Sequence, residues 1–376
     1  MKKVSIIIPV YNASAFIKNC IDSVRSQTMT DGVECILIDD CSIDNTLDNI
    51  QSLIENETLT LRNGIKDAYE TLRYEDHSSN VTFRLLCQER NQGPSAARNR
   101  GIREAKGEYV FFLDADDTIT PDCIELLYGL AKQHDADYVQ GKYETSYEDE
   151  NVPSSVNGLY TPLGLPVSGE QKRLSTYGAQ ENEDNIELLN SSTIDPSTPL
   201  VLTDRKEIKR LLLNHNKIQF TPHNRLVRRQ MIIDNGLFFN EAIKVREDFL
   251  WMTFVAKYVK RFASCDKPTY NRGYNEESLT NNINKEREIA GYCVLIETMV
   301  ANYDRFQLGY QKELALEALM MALKAGYYHD EAERQHLIEV VMSKNNFIEN
   351  ILLKLFLRTY NPKLLHLLVR IYKIKD

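Results

Sequence analysis

The seven cysteines, at positions 20, 35, 41, 87, 123, 265 and 293, include no Cys-x-x-Cys pair, and their odd number leaves no complete disulfide framework. Cys20, Cys35 and Cys87 lie among apolar residues, where packing is their expected role. Together these absences point to a reducing compartment, so the expected location is cytoplasmic. The seven histidines fall at no metal-ligand spacing, which argues against a zinc site. Positive charge is short as well: 45 Lys and Arg face 54 Asp and Glu, a net charge of -9. That balance argues against a general nucleic-acid binder. No apolar run approaches the ~18 residues that read as a membrane span, and the opening run Val4 to Val10 is too short for a signal peptide. Nor does a Gly-x-Gly-x-x-Gly follow that run, as a nicotinamide dehydrogenase would need. Tyr11-Asn12-Ala13-Ser14 stands there instead, without the glycines and lysine of a nucleotidyltransferase phosphate loop. No fixed-period repeat is present.

What is present, up to about residue 142, is an alternation of short apolar runs with amphipathic segments. Val4 to Val10 predicts a strand buried on both faces, with Pro9 near its end. Ser14 is placed to cap a helix whose apolar residues Phe16, Ile17, Cys20, Ile21 and Val24 recur at helical spacing. Further strands are expected at Val33 to Ile38, Thr82 to Cys87 and Tyr109 to Leu113, with a helix from Pro94. Strand–helix–strand repetition implies an α/β fold with a mostly parallel sheet flanked by helices. Ligands bind such sheets at the carboxyl ends of the strands, and three of the four predicted ends are polar: Tyr11-Asn12, Asp39-Asp40 and Asp114-Ala115-Asp116-Asp117. Residues 55–80 and 145–200 are polar interruptions, the second read as a long surface insertion. Helical signals return at Ile208 to Leu212 and at Phe249 to Val259, and from about Arg287 the chain reads as helical.

Carboxylates at alternate positions after a buried strand can converge on a hard cation, here magnesium or manganese. Taken alone, Asp114, Asp116 and Asp117 read rather as a solvated acidic turn before a helix. Their company changes that reading. Ile6-Ile7-Ile8-Pro9-Val10-Tyr11-Asn12, Asp39-Asp40-Cys41-Ser42-Ile43-Asp44-Asn45-Thr46, Asn91-Gln92-Gly93-Pro94-Ser95-Ala96-Ala97-Arg98-Asn99-Arg100-Gly101 and Phe112-Leu113-Asp114-Ala115-Asp116-Asp117 occur in that order. The set resembles the family 2 inverting glycosyltransferases, whose catalytic domain has the GT-A fold. The resemblance covers residues 3–142 well and 205–280 moderately.

It implies a nucleotide-sugar donor, usually a uridine one, a divalent metal (Mn2+ or Mg2+), and a glycan or lipid-linked acceptor in polysaccharide synthesis. By the same resemblance Pro9, Tyr11 and Asn12 line the base end, and Asp39 and Asp40 accept hydrogen bonds from uracil or ribose. Arg98 either reaches the nucleotide or pairs with Asp40 or Asp117. Asp116 is expected as the direct metal ligand, Asp114 as a contact to ribose and metal, and Asp117 as their support. Gly93 and Gly101 are turn and close-packing positions, and Cys41 stands where relatives often carry glycine. Val245-Arg246-Glu247-Asp248 resembles the acidic pair that opens a helix near the acceptor, which makes Asp248 the expected general base and Glu247 either a contact to the acceptor or a support for Asp248. Read alone, the pair would simply favour a helix N-terminus.

Two features match less closely. His223-Asn224-Arg225-Leu226 stands where many relatives carry an aromatic followed by Asn-Lys-Leu. Tyr270-Asn271-Arg272, followed by Ser278-Leu279-Thr280, resembles a segment that closes over the donor, with Arg272 either on the diphosphate or in a surface ion pair. Residues 1–285 are therefore expected to form the catalytic domain (1–142 for the donor, 145–200 inserted, 201–285 for acceptor and base), and 286–376 a helical extension. From Phe347 to Asp376 six Lys and Arg face two acids among apolar residues, which suits peripheral contact with an anionic membrane surface. Packing on the domain or at a homodimer interface is the competing use. A different class, an inactive nucleotide-sugar-binding scaffold subunit, would carry the same fold, but the intact Asp114, Asp116 and Asp248 argue against it.

Overall fold

β1 (Val4–Val10), β2 (Val33–Asp39) and β3 (Val81–Cys87) are seven-residue strands with almost every side chain buried, and β4 (Tyr109–Phe112) is wholly so. They lie parallel in the order β3-β2-β1-β4. Beyond β4 the sheet is mixed. β8 (Arg225–Arg228) runs antiparallel to β4 and to β6 (Tyr138–Tyr143), and β6 runs parallel to β9 (Phe262–Asn271). The two-residue strands β5 (Thr118–Ile119) and β7 (Val201–Leu202) each pair antiparallel with β9. The computed structural model describes residues 2–29, 31–54, 81–143, 199–212, 221–243, 247–273, 294–299, 331–343 and 347–359, with the single positions 301, 319, 345, 367 and 371. The polar stretch at 55–80, nearly all of that at 145–200, the 278–280 segment and most of the tail beyond 359 lie outside the described residues.

The pleat sends alternate residues into two cores. Ile6, Ile8 and Phe111 pack beneath α1 (Ile17–Arg25), α2 (Thr46–Ile54) and α4 (Cys123–Gln133). Ile7, Val110 and Phe112 face α3 (Pro94–Glu104), α5 (Arg205–Leu212), α6 (Arg229–Asp234) and α7 (Glu247–Tyr258). A Cβ on Gly101 would meet Ile7 Cγ2 at 2.3 Å, so glycine lets α3 lie against β1. The described parts of the C-terminal region are helical: 294–299, α8 (Glu331–Met342) and α9 (Phe347–Thr359).

One local expectation is corrected. Ser14 does not cap α1. The helix begins at Ile17, the Ala13 carbonyl accepts from the Phe16 and Ile17 N–H groups, and the Ser14 N–H donates to Asp44 across the loop. Pro9 stands one residue before the end of β1, which runs from Val4 to Val10 as expected. The Ile7 carbonyl accepts from Leu113, so Pro9, two residues on, faces the side where pairing with β4 has already ended. Its missing N–H therefore costs no ladder bond.

Candidate active site at the ends of the parallel strands

Strand order reverses between β1 and β4, and ligands of open α/β sheets bind at the carboxyl ends beside such a point. Tyr11 projects there, 47% exposed, as the one large exposed aromatic among the described residues 2–54. Asn12 and Cys41 adopt left-handed φ of 49° and 63°, and they turn the chain after β1 and β2. For Cys41 this is a conformation that glycine adopts without strain. The Asn12 N–H donates to Ser42 Oγ, and its Oδ1 accepts from the Ile43 N–H, both at 3.0 Å. These bonds fasten the two turns together. Asp39 accepts from the Ser42 N–H at 3.2 Å. Asp40, only 3% exposed, accepts from Gln88 Nε2 at 2.5 Å, Gln92 N at 2.8 Å and Gly93 N at 2.7 Å. Burial raises its pKa against the pull of those three bonds. Its carboxylate thus builds the loop that launches α3.

Arg98 leaves α3 toward neither Asp40 nor Asp117. Its guanidinium donates to Asp114 Oδ1 at 3.1 Å and to Glu247 Oε1 at 3.0 Å, over the Phe239 ring. Burial works against this charge, yet Asp114, Glu247 and more distantly Asp248 hold its pKa above the ordinary arginine value. One side chain therefore joins the end of β4 to the start of α7. Asn99 reinforces the junction: it donates to the Phe239 carbonyl (2.9 Å) and Glu241 (2.8 Å), and accepts from the Phe239 N–H (2.8 Å). Asp248, half-buried beside Glu247, accepts from the Phe249 N–H at 2.7 Å.

Asp114, Asp117 and His223 each offer a ligand atom within 4.8 Å of the others. Asp116 lies on the same turn but outside this group. Burial opposes ionisation of Asp114, but Arg98 and His223 drive its pKa far below the usual carboxylate range. Asp117 goes the other way, pushed up to about 7 by burial and by Asp114, although Tyr270 Oη (2.6 Å) and Gly273 N (2.8 Å) donate to it. His223 is held neutral, its pKa lowered to about 4 by burial despite Asp114. Its Nδ1 stands 3.1 Å from Asp114 Oδ2, off the line of a hydrogen bond, so this buried nitrogen has no hydrogen-bond partner. Arg272, its guanidinium over the Tyr143 ring, approaches His223 Nε2 at 3.1 Å. Arginine only donates, so Nε2 accepts and the ring proton sits on Nδ1. A half-buried carboxylate (Asp114), a buried one (Asp117) and an imidazole form an oxygen- and nitrogen-donor set suited to a divalent cation. The raised pKa of Asp117 is what a cation would relieve.

Sequence spacing could not have found His223, which lies more than a hundred residues beyond Asp117. A parallel bridge between Phe112 and His223 brings them together. The signal was the departure itself, a histidine where relatives carry an aromatic. The imidazole stacks on Tyr270 with ring centroids 5.1 Å apart.

The model of glycosyl transferase family 2 matches residues 5–235. The chain belongs to that family. The transferase is 36% identical over 355 residues to the uncharacterized glycosyltransferase YibD of Escherichia coli (strain K12), across 92% of this chain and 86% of that one. It is 26% identical over 274 residues to the poly(ribitol-phosphate) beta-N-acetylglucosaminyltransferase TarP of Staphylococcus aureus (strain N315), 72% of this chain and 69% of that one. Against the poly(ribitol-phosphate) beta-glucosyltransferase of Bacillus spizizenii the identity is 28% over 248 residues, and the matched part is 31% of that protein's length. The fold matches the crystal structure of S. aureus TarS 1-349 in complex with UDP-GlcNAc, with a TM-score of 0.55 at 20% identity over 91% of this chain and 80% of that one. The GT-A architecture implied by the motifs is therefore the architecture of this transferase.

Proposed function

We propose that the protein transfers a sugar from a uridine-diphosphate donor to a hydroxyl of a glycan or lipid-linked acceptor, with inversion, in synthesis of a bacterial surface polysaccharide. One observation carries the reading: the Asp114–Asp117–His223 group meets the Arg98–Glu247 pair at the carboxyl end of β4. Tyr11 and Asn12 take the base, and Asp39 the ribose side, at the neighbouring ends of β1 and β2. Pro9 and Asp40 act by shaping those turns. The uridine assignment is supported by the UDP and UDP-GlcNAc complexes of TarS, and the polymer acceptor by the poly(ribitol-phosphate) transferases among the relatives.

Asp114, Asp117 and His223, with Asp116 as the further carboxylate of the turn, would hold a divalent cation. When bound, that cation offsets the charge that develops on the leaving diphosphate. The two carboxylates favour Mn2+ or Mg2+, and the imidazole favours Mn2+ of the pair. Arg272 is proposed to give up His223 for the diphosphate. Inversion requires the acceptor oxygen to attack the anomeric carbon opposite the leaving group, and one carboxylate must accept its proton. Asp248 is proposed for that task. Glu247 is the neighbour that Arg98 ties to Asp114, so donor side and base side share one rigid link.

Residues 1–285 are proposed as the catalytic unit and 286–376 as a helical extension, supported by β9 being the last described strand. No described helix is long and apolar enough to cross a membrane. On α9, Phe347 (80% exposed), Ile348, Ile351 and Leu355 face outward beside exposed Lys354 and Arg358. Peripheral contact with an anionic membrane surface is proposed from that stripe. A thermal-shift panel of nucleotide sugars, each with and without Mn2+, tests the donor assignment without an acceptor. A uridine-diphosphate sugar should stabilise most and only fully with Mn2+. Equal stabilisation by adenosine or guanosine counterparts would refute the uridine assignment.

A further inference from the structure

His223 reaches the cation-suited group from an awkward piece of chain. Pro222 precedes it and has no N–H to donate, and Asn224 follows with a left-handed φ of 59°. That turn lets the ring face Asp114 while the next residue enters β8. The Asn224 kink is secured from outside: Thr269 Oγ1 donates to its Oδ1 at 2.8 Å, and the Gly141 N–H donates to its carbonyl at 3.0 Å. Gly141 is required, since a Cβ there would stand 2.0 Å from Asn224 Oδ1. The ring plane is set separately by the stack on Tyr270.

Arg225 completes the arrangement. It is 0% exposed and thus out of reach of any donor or acceptor, so its influence on the site passes through other residues. Its Nη1 donates to the His223 carbonyl, to Thr221 Oγ1 at 2.9 Å and to Tyr143 Oη at 3.3 Å. The Tyr143 hydroxyl in turn donates to the same His223 carbonyl at 3.1 Å and lies 3.1 Å from Thr221 Oγ1. One guanidinium nitrogen thus grips the chain on both sides of Pro222, and a tyrosine closes the ring. Tyr138 also bonds the guanidinium, and these partners are neutral oxygens, which repay only part of the desolvation of a buried cation. A hydrophobic residue would fill an interior strand position without that cost.

We propose that Arg225 is a positioning residue for His223, holding the 221–223 backbone so that the imidazole meets Asp114 and Asp117 as a metal ligand. The inference rests on the metal reading above and extends it to the shell behind the ligand. Outer partners of ligating histidines commonly change metal affinity by about 10–100-fold when altered.

The test is Mn2+ affinity of the full chain, read from the free-ion paramagnetic resonance signal during titration. Arg225→Lys keeps the charge and replaces the forked group with a single point donor. Its dissociation constant should rise about 10–100-fold, while metal-free UDP affinity stays at the wild-type value. In a His223→Ala background, where the two carboxylates give residual binding, Arg225→Lys should add no further loss. Wild-type-like Mn2+ affinity in Arg225→Lys, or the same factor lost again in the His223→Ala background, overturns the proposal. Should Arg225→Lys fail to fold, Tyr143→Phe removes the hydroxyl that closes the ring and should weaken Mn2+ several-fold, and unchanged affinity in it overturns the proposal equally. A wild-type chain that binds no Mn2+ would instead remove the metal reading beneath it.

Discussion

Asp117 and His223 titrate in opposite senses. The Asp117 carboxyl, pushed from 3.8 up to about 7 by burial and Asp114, binds its proton more tightly folded than unfolded. Its contribution to stability is full below 3.8 and is lost as pH rises through about 7. His223, lowered from 6.5 to about 4 by burial, makes the metal-free fold gain stability as pH rises across that interval. Above about pH 6.5 only the Asp117 loss continues, and a cation that replaces its proton would cancel it. The stabilisation by Mn2+, measured as a melting-temperature shift, should therefore grow between about pH 6 and pH 8. A shift independent of pH would mean that Asp117 is not displaced from its proton. Asp248 makes a separate prediction. Asp248→Asn keeps the shape and cannot take a proton, so donor binding should persist while transfer falls by roughly two to four orders of magnitude. Transfer near the wild-type rate, with donor bound, would give the base role to another residue.

α7 matters because it brings Glu247 and Asp248 to the end of β4, and its seat is aromatic. Trp251 stacks on Phe239 with ring centroids 4.7 Å apart, meets Phe112 edge-on at 5.5 Å, and donates from Nε1 to the Leu237 carbonyl at 2.9 Å. Phe239 in turn lies under Arg98. Trp251→Ala should cost about 3–5 kcal/mol in a denaturant titration, and transfer should fall more than metal-free UDP binding, since the helix that carries the proposed base loses its anchor. Equal losses in both would place the effect in the whole sheet. At this scale the sequence was most readable where burial is continuous. β1 to β4, α1, α3 and α7 were expected close to their observed bounds, because apolar runs and helical spacing report directly on two-sided burial. Ser14 was misread as a cap because Asp44, thirty residues away, competes for that turn. β5, β7 and the antiparallel pairings around β9 left no periodic signal, since two-residue strands are defined by their partners alone.

In the molecule as a whole, the site is a meeting of distant segments, and that decided what could be read. The ordered motifs marked Tyr11, Asp39, Asp114 and Glu247–Asp248 because each ends a strand or opens a helix. They did not mark the Asp114–Arg98–Glu247 link, the use of Asp40 as a loop builder, or His223, whose places depend on packing across the sheet. The tail makes its own prediction. With six cations and two acids from Phe347 onward in a chain of net charge -9, the full protein should float with anionic liposomes, and a chain ending before Phe347 should not. Equal flotation of both would place membrane contact elsewhere, and aggregation of the shortened chain without flotation of either would make α9 a packing element. The most direct test of the central claim is calorimetric titration of UDP into the wild-type chain and into His223→Ala, each with and without Mn2+. Mn2+ should tighten UDP binding to the wild type, and His223→Ala should lose most of this gain while keeping the metal-free affinity. The same gain from Mn2+ in both proteins would contradict the claim.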